Sequence, residues 1–410
     1  MRVNRINPKA ATATAITGVG LGVVSAITSL SIATYFARRI ITPEHERKDN
    51  VLITEVGEHT VTMRAEPHTI AVGNYGLWLQ RGAGHARVGA VTELRTDSRK
   101  ASEHTVTREV LGVDAGELVP GPARWNGYHY YGTPRSALGL AYDDVLVRSD
   151  VGDLPAWRVR PERDDGRWAI LVHGRSARRD ETLRAVPVLR DLGFTSLVPM
   201  YRNDDGAPAS IDGRYNLGLS EWRDIEAAIR YAALHGARDI VLMGWSMGAA
   251  IVLQTLDRSA MAGWVDRVIL DGPVIDWGDV ISYQAEVNKL PPLIDGLAKT
   301  LLSRKVTRGL VGIAEPIDIA VTNWVSRASE LSHPMLIIHS EDDDVVPSGP
   351  SQALARARPD LVQLALWKDA LHCREWSTDP QRWRELVRTF LESDVDTINF
   401  PGEATAAMPR

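Results

Sequence analysis

Residues 239–256 read DIVLMGWSMGAAIVLQTL, and this stretch decides the fold. The apolar run Ile240–Met243 predicts a buried strand, and the segment Gly248–Leu256 predicts a helix that begins at once. Between them, Gly244–Gly248 form the pattern G-x-S-x-G. Glycine on both sides lets the strand and the helix pack closely, so the turn is sharp and its backbone is strained. We expect this turn to lift the hydroxyl of Ser246 above the edge of a sheet, which makes Ser246 the candidate nucleophile.

The chain around this motif alternates between apolar strands and helices from about residue 143 to residue 392. Such alternation predicts an α/β architecture, with a mostly parallel sheet covered by helices on both faces. In sheets of this kind, functional side chains collect in the loops at the carboxyl ends of the strands. The strands that bear on the site are Trp168–Val172, Ile240–Met243, Val268–Leu270, Pro334–Ile338 and Val362–Trp367.

A nucleophilic serine needs a base, and the base needs an acid to orient it. After a nucleophile of this strand–turn–helix type, the acid and then the histidine follow later strands. His372 is the histidine that follows the last predicted strand, in a loop before the last helix. His372 is therefore the candidate base, and we expect structural roles for His339 and His333.

The candidate acid lies in the carboxylate-rich turn after the strand Pro334–Ile338, where residues 339–347 read HSEDDDVVP. Asp343 is the first choice and Asp344 the second. Asp271, just past the strand Val268–Leu270, is a topologically possible alternative. A calcium loop is a rival interpretation of this turn, but the spacing of an EF-hand and its distal glutamate are missing.

Two backbone N–H groups are needed to stabilise an oxyanion beside the serine. The residue after the nucleophile, Met247, is one candidate donor. The other is Arg175, in the loop that follows the strand Trp168–Val172, where Gly174 allows a close approach. The side chain of Arg175 has two further interpretations, a contact with an anionic substrate group or a surface salt bridge.

Taken together, these residues resemble the α/β-hydrolase superfamily, and within it the esterase, lysophospholipase and serine-aminopeptidase-like branch. The resemblance covers about residues 143–392, and two details depart from the usual pattern. Ser340 stands where the G-x-x-D-x-x-V-P turn has glycine, and no glycine precedes His372 in the segment Asp369–His372. The resemblance implies hydrolysis of an ester, thioester or amide through an acyl-enzyme, without a metal or organic cofactor. The matching pieces are His173-Gly174, Gly244–Gly248, Ser340–Pro347 and Leu371-His372.

An insertion of about 60 residues separates two of the core strands, at about residues 273–331. It is too long for a simple crossover loop and is rich in apolar residues. We expect a helical cap over the serine that excludes water and binds an acyl chain. Part of its apolar surface must also pack the cap onto the body.

Residues 43–142 are expected to form a linker and a small β-rich segment, because short β-branched runs alternate with glycine and proline there. The segment carries no recognisable site chemistry. Residues 393–410 are assigned to a carboxyl-terminal tail.

The amino-terminal residues 1–42 contain an uncharged span at Ala10–Ala37, long enough to cross a bilayer as a helix. A single membrane anchor is the first interpretation. A cleaved signal peptide, with small residues at Ser31–Ala33, and a soluble helix are the alternatives. Positive charges flank both ends of the span, so they do not fix its orientation. We expect membrane association with the body of the chain on the extracytoplasmic side.

Composition excludes several classes of protein. The 410 residues carry a net charge of −5, which gives no basic excess for a dedicated nucleic-acid binder. The single cysteine, Cys373, excludes internal disulfides and C-x-x-C zinc or redox motifs.

The sequence thus predicts a membrane-anchored serine hydrolase of the carboxylesterase or lipase type, acting on a small or lipid-like acyl ester. Peptidase, thioesterase and acyltransferase activities would use the same residues. A non-catalytic binding or scaffold protein on a hydrolase fold is the alternative from another class. The sequence leaves the oligomeric state open.

Overall fold

A computed structural model of the chain describes residues 28–393. Residues 28–41 are helical (α1). The strands that follow form two sheets, a closed six-stranded barrel and an open eight-stranded sheet. The boundaries between the segments expected from the sequence stay predictions.

The β-rich segment is an antiparallel barrel in which the strands lie in the order β1-β2-β5-β4-β3-β6, and β6 pairs with β1 to close it. Inward and outward residues alternate along β1, so that Val51 and Ile53 are buried and Leu52 is exposed. The bounds are β1 (Val51–Val56), β2 (Thr60–Arg64), α2 (Pro67–Ile70), β3 (Tyr75–Leu79), β4 (Gly84–Arg95), β5 (Thr105–Ala115) and β6 (Gly121–Asn126).

A buried arginine holds one side of the barrel together. The guanidinium of Arg108 donates hydrogen bonds to the carbonyl oxygens of Thr69, Ala71, Gly73 and Gly89 at 2.6–2.9 Å. Burial lowers the pKa of Arg108 to about 10, so the side chain still carries its charge at neutral pH. These bonds satisfy carbonyl groups that the strand ladders leave free.

The open sheet has the strand order β14-β13-β12-β11-β9-β10-β8-β7 and is parallel from β14 to β10, with β8 and β7 antiparallel. The bounds are α3 (Pro134–Leu138), β7 (Asp143–Ser149), β8 (Gly152–Val159), β9 (Arg167–Val172), α4 (Val186–Asp191), β10 (Thr195–Pro199), α5 (Trp222–Leu234), β11 (Asp239–Trp245), α6 (Met247–Arg258), β12 (Val265–Asp271), α7 (Trp277–Val287), α8 (Ile294–Ser303), α9 (Arg308–Val311), β13 (Met335–Ser340), α10 (Gly349–Ala357), β14 (Val362–Trp367), α11 (Glu375–Thr378) and α12 (Pro380–Glu392).

Both faces of this sheet are covered by helices, as the continuous apolar strands predict. Along β9, Ile170 and Val172 join the core shared with α5 and α6. The alternate residues, Ala169 and Leu171, join the core shared with α4 and α12. The insertion expected to form a helical cap contains α7, α8 and α9.

The described part of the expected membrane span packs into the core of the protein. In α1, Ala33, Phe36, Ala37 and Ile41 are buried in the same core as α5 and α6. Within residues 28–393, no helix combines the length and the apolarity needed to cross a membrane. A membrane helix that includes residues 28–37 is therefore unsupported, and residues 10–27 of that prediction lie outside the described residues.

Candidate active site

Ser246 lies in a strained turn between β11 and α6. Its φ of 52° and ψ of −117° are unusual for a residue with a side chain. A Cβ atom on Gly248 would lie 2.1 Å from the carbonyl oxygen of Val172, and one on Gly244 would lie 2.6 Å from the backbone nitrogen of Ala249. Both positions therefore require glycine, which accounts for the spacing of the motif.

The structure brings Ser246, His372 and Asp343 into one hydrogen-bonded row. The Oγ of Ser246 lies 2.8 Å from Nε2 of His372, and Nδ1 of His372 lies 2.7 Å from Oδ2 of Asp343. The three residues follow β11, β14 and β13, whose carboxyl ends meet at one edge of the sheet. This is the arrangement that a serine nucleophile, its base and an orienting acid require.

The carboxylate of Asp343 is held ionised at the end of this row. Its Oδ1 accepts hydrogen bonds from the backbone N–H groups of Val345 and Val346, at 2.8 and 2.7 Å. Nε2 of His339 lies 3.3 Å from Oδ2. Burial alone would raise the pKa of Asp343, but the charge of His372 and the hydrogen bonds from both histidines lower it well below the usual range.

The same pairing acts on the imidazole in the opposite direction. Burial alone would lower the pKa of His372, but the Asp343 carboxylate outweighs burial and raises the pKa above that of an ordinary histidine. With Nδ1–H donating to Asp343, Nε2 of the neutral ring is left to accept the proton of the Ser246 hydroxyl.

The alternative acids lie elsewhere. Oδ1 of Asp344 accepts a hydrogen bond from the backbone N–H of His372 at 3.2 Å. Asp271 is buried beneath the turn, where Oδ2 accepts from Nε1 of Trp383 at 2.8 Å and its carbonyl oxygen accepts from the N–H of Ser246 at 3.0 Å. Asp343 is thus the carboxylate that faces the imidazole.

Both predicted oxyanion donors belong to segments that adjoin Ser246: Met247 follows it in the chain, and a Cβ on Gly174, the residue before Arg175, would lie 3.3 Å from the Cβ of Ser246. Met247 is the first residue of α6, and Arg175 is in the loop after β9. Among residues 28–393, neither backbone N–H has a hydrogen-bond acceptor. The amino end of α6 adds a positive partial charge at the same place.

Three side chains that the sequence analysis missed hold the Arg175 loop in position. Oε2 of Glu181 accepts from the N–H of Gly174 at 2.7 Å, and the hydroxyl of Tyr201 donates to the carbonyl oxygen of Gly174 at 2.9 Å. Asp204 lies 2.8 Å from Nε2 of the buried His173. Tyr201 and Asp204 follow β10, the strand beside β9, so strand adjacency was the signal that could have found them.

The side chain of Arg175 binds the carboxyl end of α1. Its guanidinium donates to the carbonyl oxygens of Arg39, Ile40 and Thr42 at 2.6–2.9 Å. A cation at a helix carboxyl end meets the negative end of the helix dipole. Glu44 lies 3.6 Å away. The surface salt bridge that the sequence suggested for Arg175 is therefore its weaker contact, and its main contacts are with the carbonyl oxygens at the end of α1.

A cavity of about 230 Å³ opens onto Ser246 and His372. Its walls come from α1, from α7 of the insertion and from the turn that carries Asp343. Most of the lining is apolar: Phe36, Ile40, Val274, Trp277, Val280, Ile281, Val345 and Val346. The cap helix α7 is tied to the same turn, because Gln284 Nε2 donates to the carbonyl oxygen of Val345 at 2.9 Å.

Cys373 is buried beside the row. Burial and then the charge of Asp271 raise the pKa of its thiol well above the usual value, so the thiol stays protonated. Burial and then Asp271 likewise raise the pKa of Glu375 well above that of an ordinary glutamate. Within residues 28–393, no cluster of three metal-ligating side chains is placed to hold an ion.

Three comparisons relate this chain to known proteins. A family model described as a domain of unknown function, DUF8805, matches residues 51–126, which form the barrel. The curated protein YqkD of Bacillus subtilis, described as uncharacterized, is 22% identical over 253 residues, which span 60% of this chain and 77% of YqkD. The esterase Pf2001 of Pyrococcus furiosus is 18% identical, with a TM-score of 0.50 over 64% of this chain and 94% of that chain. The likeness to Pf2001 shows the fold alone: over 64% of its length this chain has the fold of that esterase, which agrees with the fold that the resemblance predicts.

Proposed function

We propose that the protein is a serine hydrolase that cleaves acyl esters through an acyl-enzyme. The observation that carries the proposal is the row Ser246–His372–Asp343 opening into an apolar cavity. The hydrolase and esterase character of the structural neighbours supports it only at the level of the superfamily.

The reaction follows from the contacts. Nε2 of His372 takes the proton of the Ser246 hydroxyl while Oγ attacks the ester carbonyl, and the N–H groups of Met247 and Arg175 bind the developing oxyanion. His372 then gives the proton to the leaving alcohol. Water attacks the acyl-enzyme with His372 again as base, which releases the acid and restores the serine. Asp343 stabilises the imidazolium in both steps and keeps its own charge.

The size of the cavity limits the length of the acyl chain. About 230 Å³ lies below the range typical of drug-sized ligand pockets, so we expect short acyl chains. A peptidase, a thioesterase or an acyltransferase would use the same row, and no contact in the site favours one of them over an esterase. A non-catalytic binding or scaffold protein would not require an ionised acid, a base and two free N–H donors around one serine.

The test is hydrolysis of 4-nitrophenyl butanoate by the full chain. We expect turnover by the wild type, its loss in Ser246→Ala, and no change in Ser102→Ala, a matched change at an exposed serine. Intact mass after rapid quenching should show a butanoyl group on Ser246. A folded wild type that neither hydrolyses nor becomes acylated by butanoyl, octanoyl or thioester substrates would overturn the proposal.

A further inference from the structure

A cleft of about 270 Å³ lies between the barrel and the eight-stranded sheet, beside the catalytic cavity. We call it the arginine cleft. Its charged lining consists of Arg47, Lys48, Arg124, Arg175, Arg374 and Glu44, which makes five cations and one carboxylate.

Four of these five cations form no ion pair within residues 28–393, and Arg175 is the exception. Glu44, the single carboxylate, lies 3.6 Å from the guanidinium of Arg175. Burial alone would lower the pKa of Arg47, but Tyr128, Asp180 and Glu181 together raise it. Burial and then the charges of Arg47 and Arg178 lower the pKa of Arg124, and Asp49 opposes them only in part.

Aromatic rings hold these guanidinium groups in place without neutralising them. The guanidinium of Arg124 lies 5.3 Å from the ring centre of Trp78, and that of Arg374 lies 5.6 Å from the ring centre of Tyr128. Unpaired like charges gathered in a partly buried cleft repel one another, and a bound anion removes that repulsion. The cleft therefore holds several guanidinium groups close together, and aromatic rings pack against two of them.

The arginine cleft adjoins the catalytic cavity. Arg374 follows His372 by two residues, and its charge opposes the rise in the pKa of the imidazole. Arg175 and Glu44 line both the catalytic cavity and the arginine cleft. A substrate with its acyl chain in the apolar cavity would therefore reach the arginine cleft with its alcohol part.

We infer that the arginine cleft binds a phosphate group on the alcohol part of the substrate, an assignment that rests on the hydrolase function proposed above. Several arginines converge from different elements, and the planar donor fork of arginine matches phosphate oxygens. The substrates are then short-chain acyl esters of phosphorylated alcohols. The phosphorylated alcohol leaves with the proton that His372 donates, and water releases the acyl group from Ser246.

This assignment implies a role for the barrel in substrate selection. Arg124 lies on β6 and Trp78 on β3, so one wall of the arginine cleft is made by the barrel. The residue that follows β6 also contacts α11, where Ser377 Oγ donates to the carbonyl oxygen of Gly127 at 3.2 Å. The barrel would therefore determine which leaving groups are accepted.

The test compares 1-hexanoylglycerol 3-phosphate with 1-hexanoylglycerol as substrates of the full chain. We expect kcat/KM to favour the phosphate ester by about tenfold or more. Arg124→Gln should remove most of that preference while it leaves hydrolysis of the neutral ester largely intact. Arg356→Gln, at an exposed arginine on α10, is the matched control and should keep the preference.

A second readout does not require turnover. Glycerol 3-phosphate, but not glycerol, should bind Ser246→Ala in a calorimetric titration, and Arg124→Gln in that background should abolish the binding. Preference measured on the dissolved hexanoyl esters assigns a free substrate. Preference that appears only with an oleoyl analogue in vesicles assigns a lipid headgroup.

The two proposals fail in distinguishable ways. Equal rates on the two hexanoyl esters, together with no binding of glycerol 3-phosphate, would overturn the phosphate assignment and leave the hydrolase standing. A folded protein that hydrolyses neither ester but still binds glycerol 3-phosphate would overturn the hydrolase and retain the anion site.

Discussion

Two histidines in this chain make almost the same pair of hydrogen bonds, one in the barrel and one at the edge of the sheet. Nδ1 of His85 lies 2.8 Å from Asp114, and its Nε2 lies 2.8 Å from the amide nitrogen of Asn126. His372 has Asp343 at 2.7 Å on Nδ1 and Ser246 at 2.8 Å on Nε2. Distances alone therefore do not distinguish a base from a structural histidine.

The difference between the two histidines lies in the partner of Nε2 and in its surroundings. Asn126 donates to Nε2 of His85, so the lone pair that a base would use is occupied. Ser246 has a proton to give and lines the apolar cavity, where substrate can reach its hydroxyl. The side chain of His85 is fully buried, whereas that of His372 is 17% exposed. A histidine hydrogen-bonded at both ring nitrogens can act as a base only where the partner of its unprotonated nitrogen has a proton to lose and substrate can reach the pair.

Removing Ser246 or His372 should abolish most of the activity. Ser246→Ala and His372→Ala should each lower kcat by roughly 10⁴- to 10⁶-fold, and the double variant should be little worse, because the residues act as a unit. Initial rates with 4-nitrophenyl butanoate measure this. Single losses that multiplied in the double variant would contradict a shared role.

The next largest effect is expected at the acid. Asp343→Asn should cost roughly 10³- to 10⁴-fold in kcat, because the imidazolium loses its counter-charge and the ring its tautomer. Asp344→Asn and Asp271→Asn serve as controls for the alternative acids, measured on the same ester with folding checked by circular dichroism. A silent Asp343→Asn beside an inactive Asp271→Asn would reverse the assignment.

The barrel histidine should behave in the opposite way. His85→Ala removes one hydrogen-bond partner each from Asp114 and Asn126 and leaves a cavity where the buried imidazole stood, so it should cost about 2 kcal/mol of stability. The specific activity of the folded fraction on 4-nitrophenyl butanoate should stay unchanged. Urea unfolding curves measure the loss of stability, and active-site titration measures the specific activity of the folded fraction. A stable but inactive His85→Ala variant would show that the barrel network has a catalytic role.

The cavity should show smaller, substrate-dependent effects. Val280→Phe fills part of the apolar chamber and should lower kcat/KM for octanoyl esters several-fold more than for acetyl esters, because volume and not chemistry is changed. A chain-length series of 4-nitrophenyl esters measures the effect. A uniform loss across the series would place the acyl chain outside this chamber.

The smallest expected effect is a pH shift. Activity is lost as the pH falls through the pKa of His372, because the imidazolium cannot accept the serine proton, and this acid limb should lie above the ordinary histidine value of about 6.5. The charge of Arg374 holds the pKa of His372 down, so Arg374→Gln should move the acid limb to higher pH. Arg356→Gln should leave it in place. A limb that moves to lower pH in Arg374→Gln would contradict the sign.

The sequence predicts the sheet and the order of Ser246, Asp343 and His372 because each follows the carboxyl end of an apolar strand, a local pattern. Closure of the barrel depends on pairing of β1 with β6 across about 70 residues, which no local pattern records. The burial of α1 was missed because an apolar helix rich in small residues suits a protein core as well as a bilayer. The arginine cleft combines charged residues from four distant segments, so its charge is invisible in the overall balance of −5.

The most direct test of the central claim is labelling of the full chain by a fluorophosphonate, with the modified residue located by peptide mass. We predict one label on Ser246, absent from Ser246→Ala, at least roughly 10³-fold slower in His372→Ala, and retained in the folded fraction of His85→Ala. A folded wild type that takes no label, or a His372→Ala variant labelled as fast as the wild type, would show that Ser246 is not activated by His372.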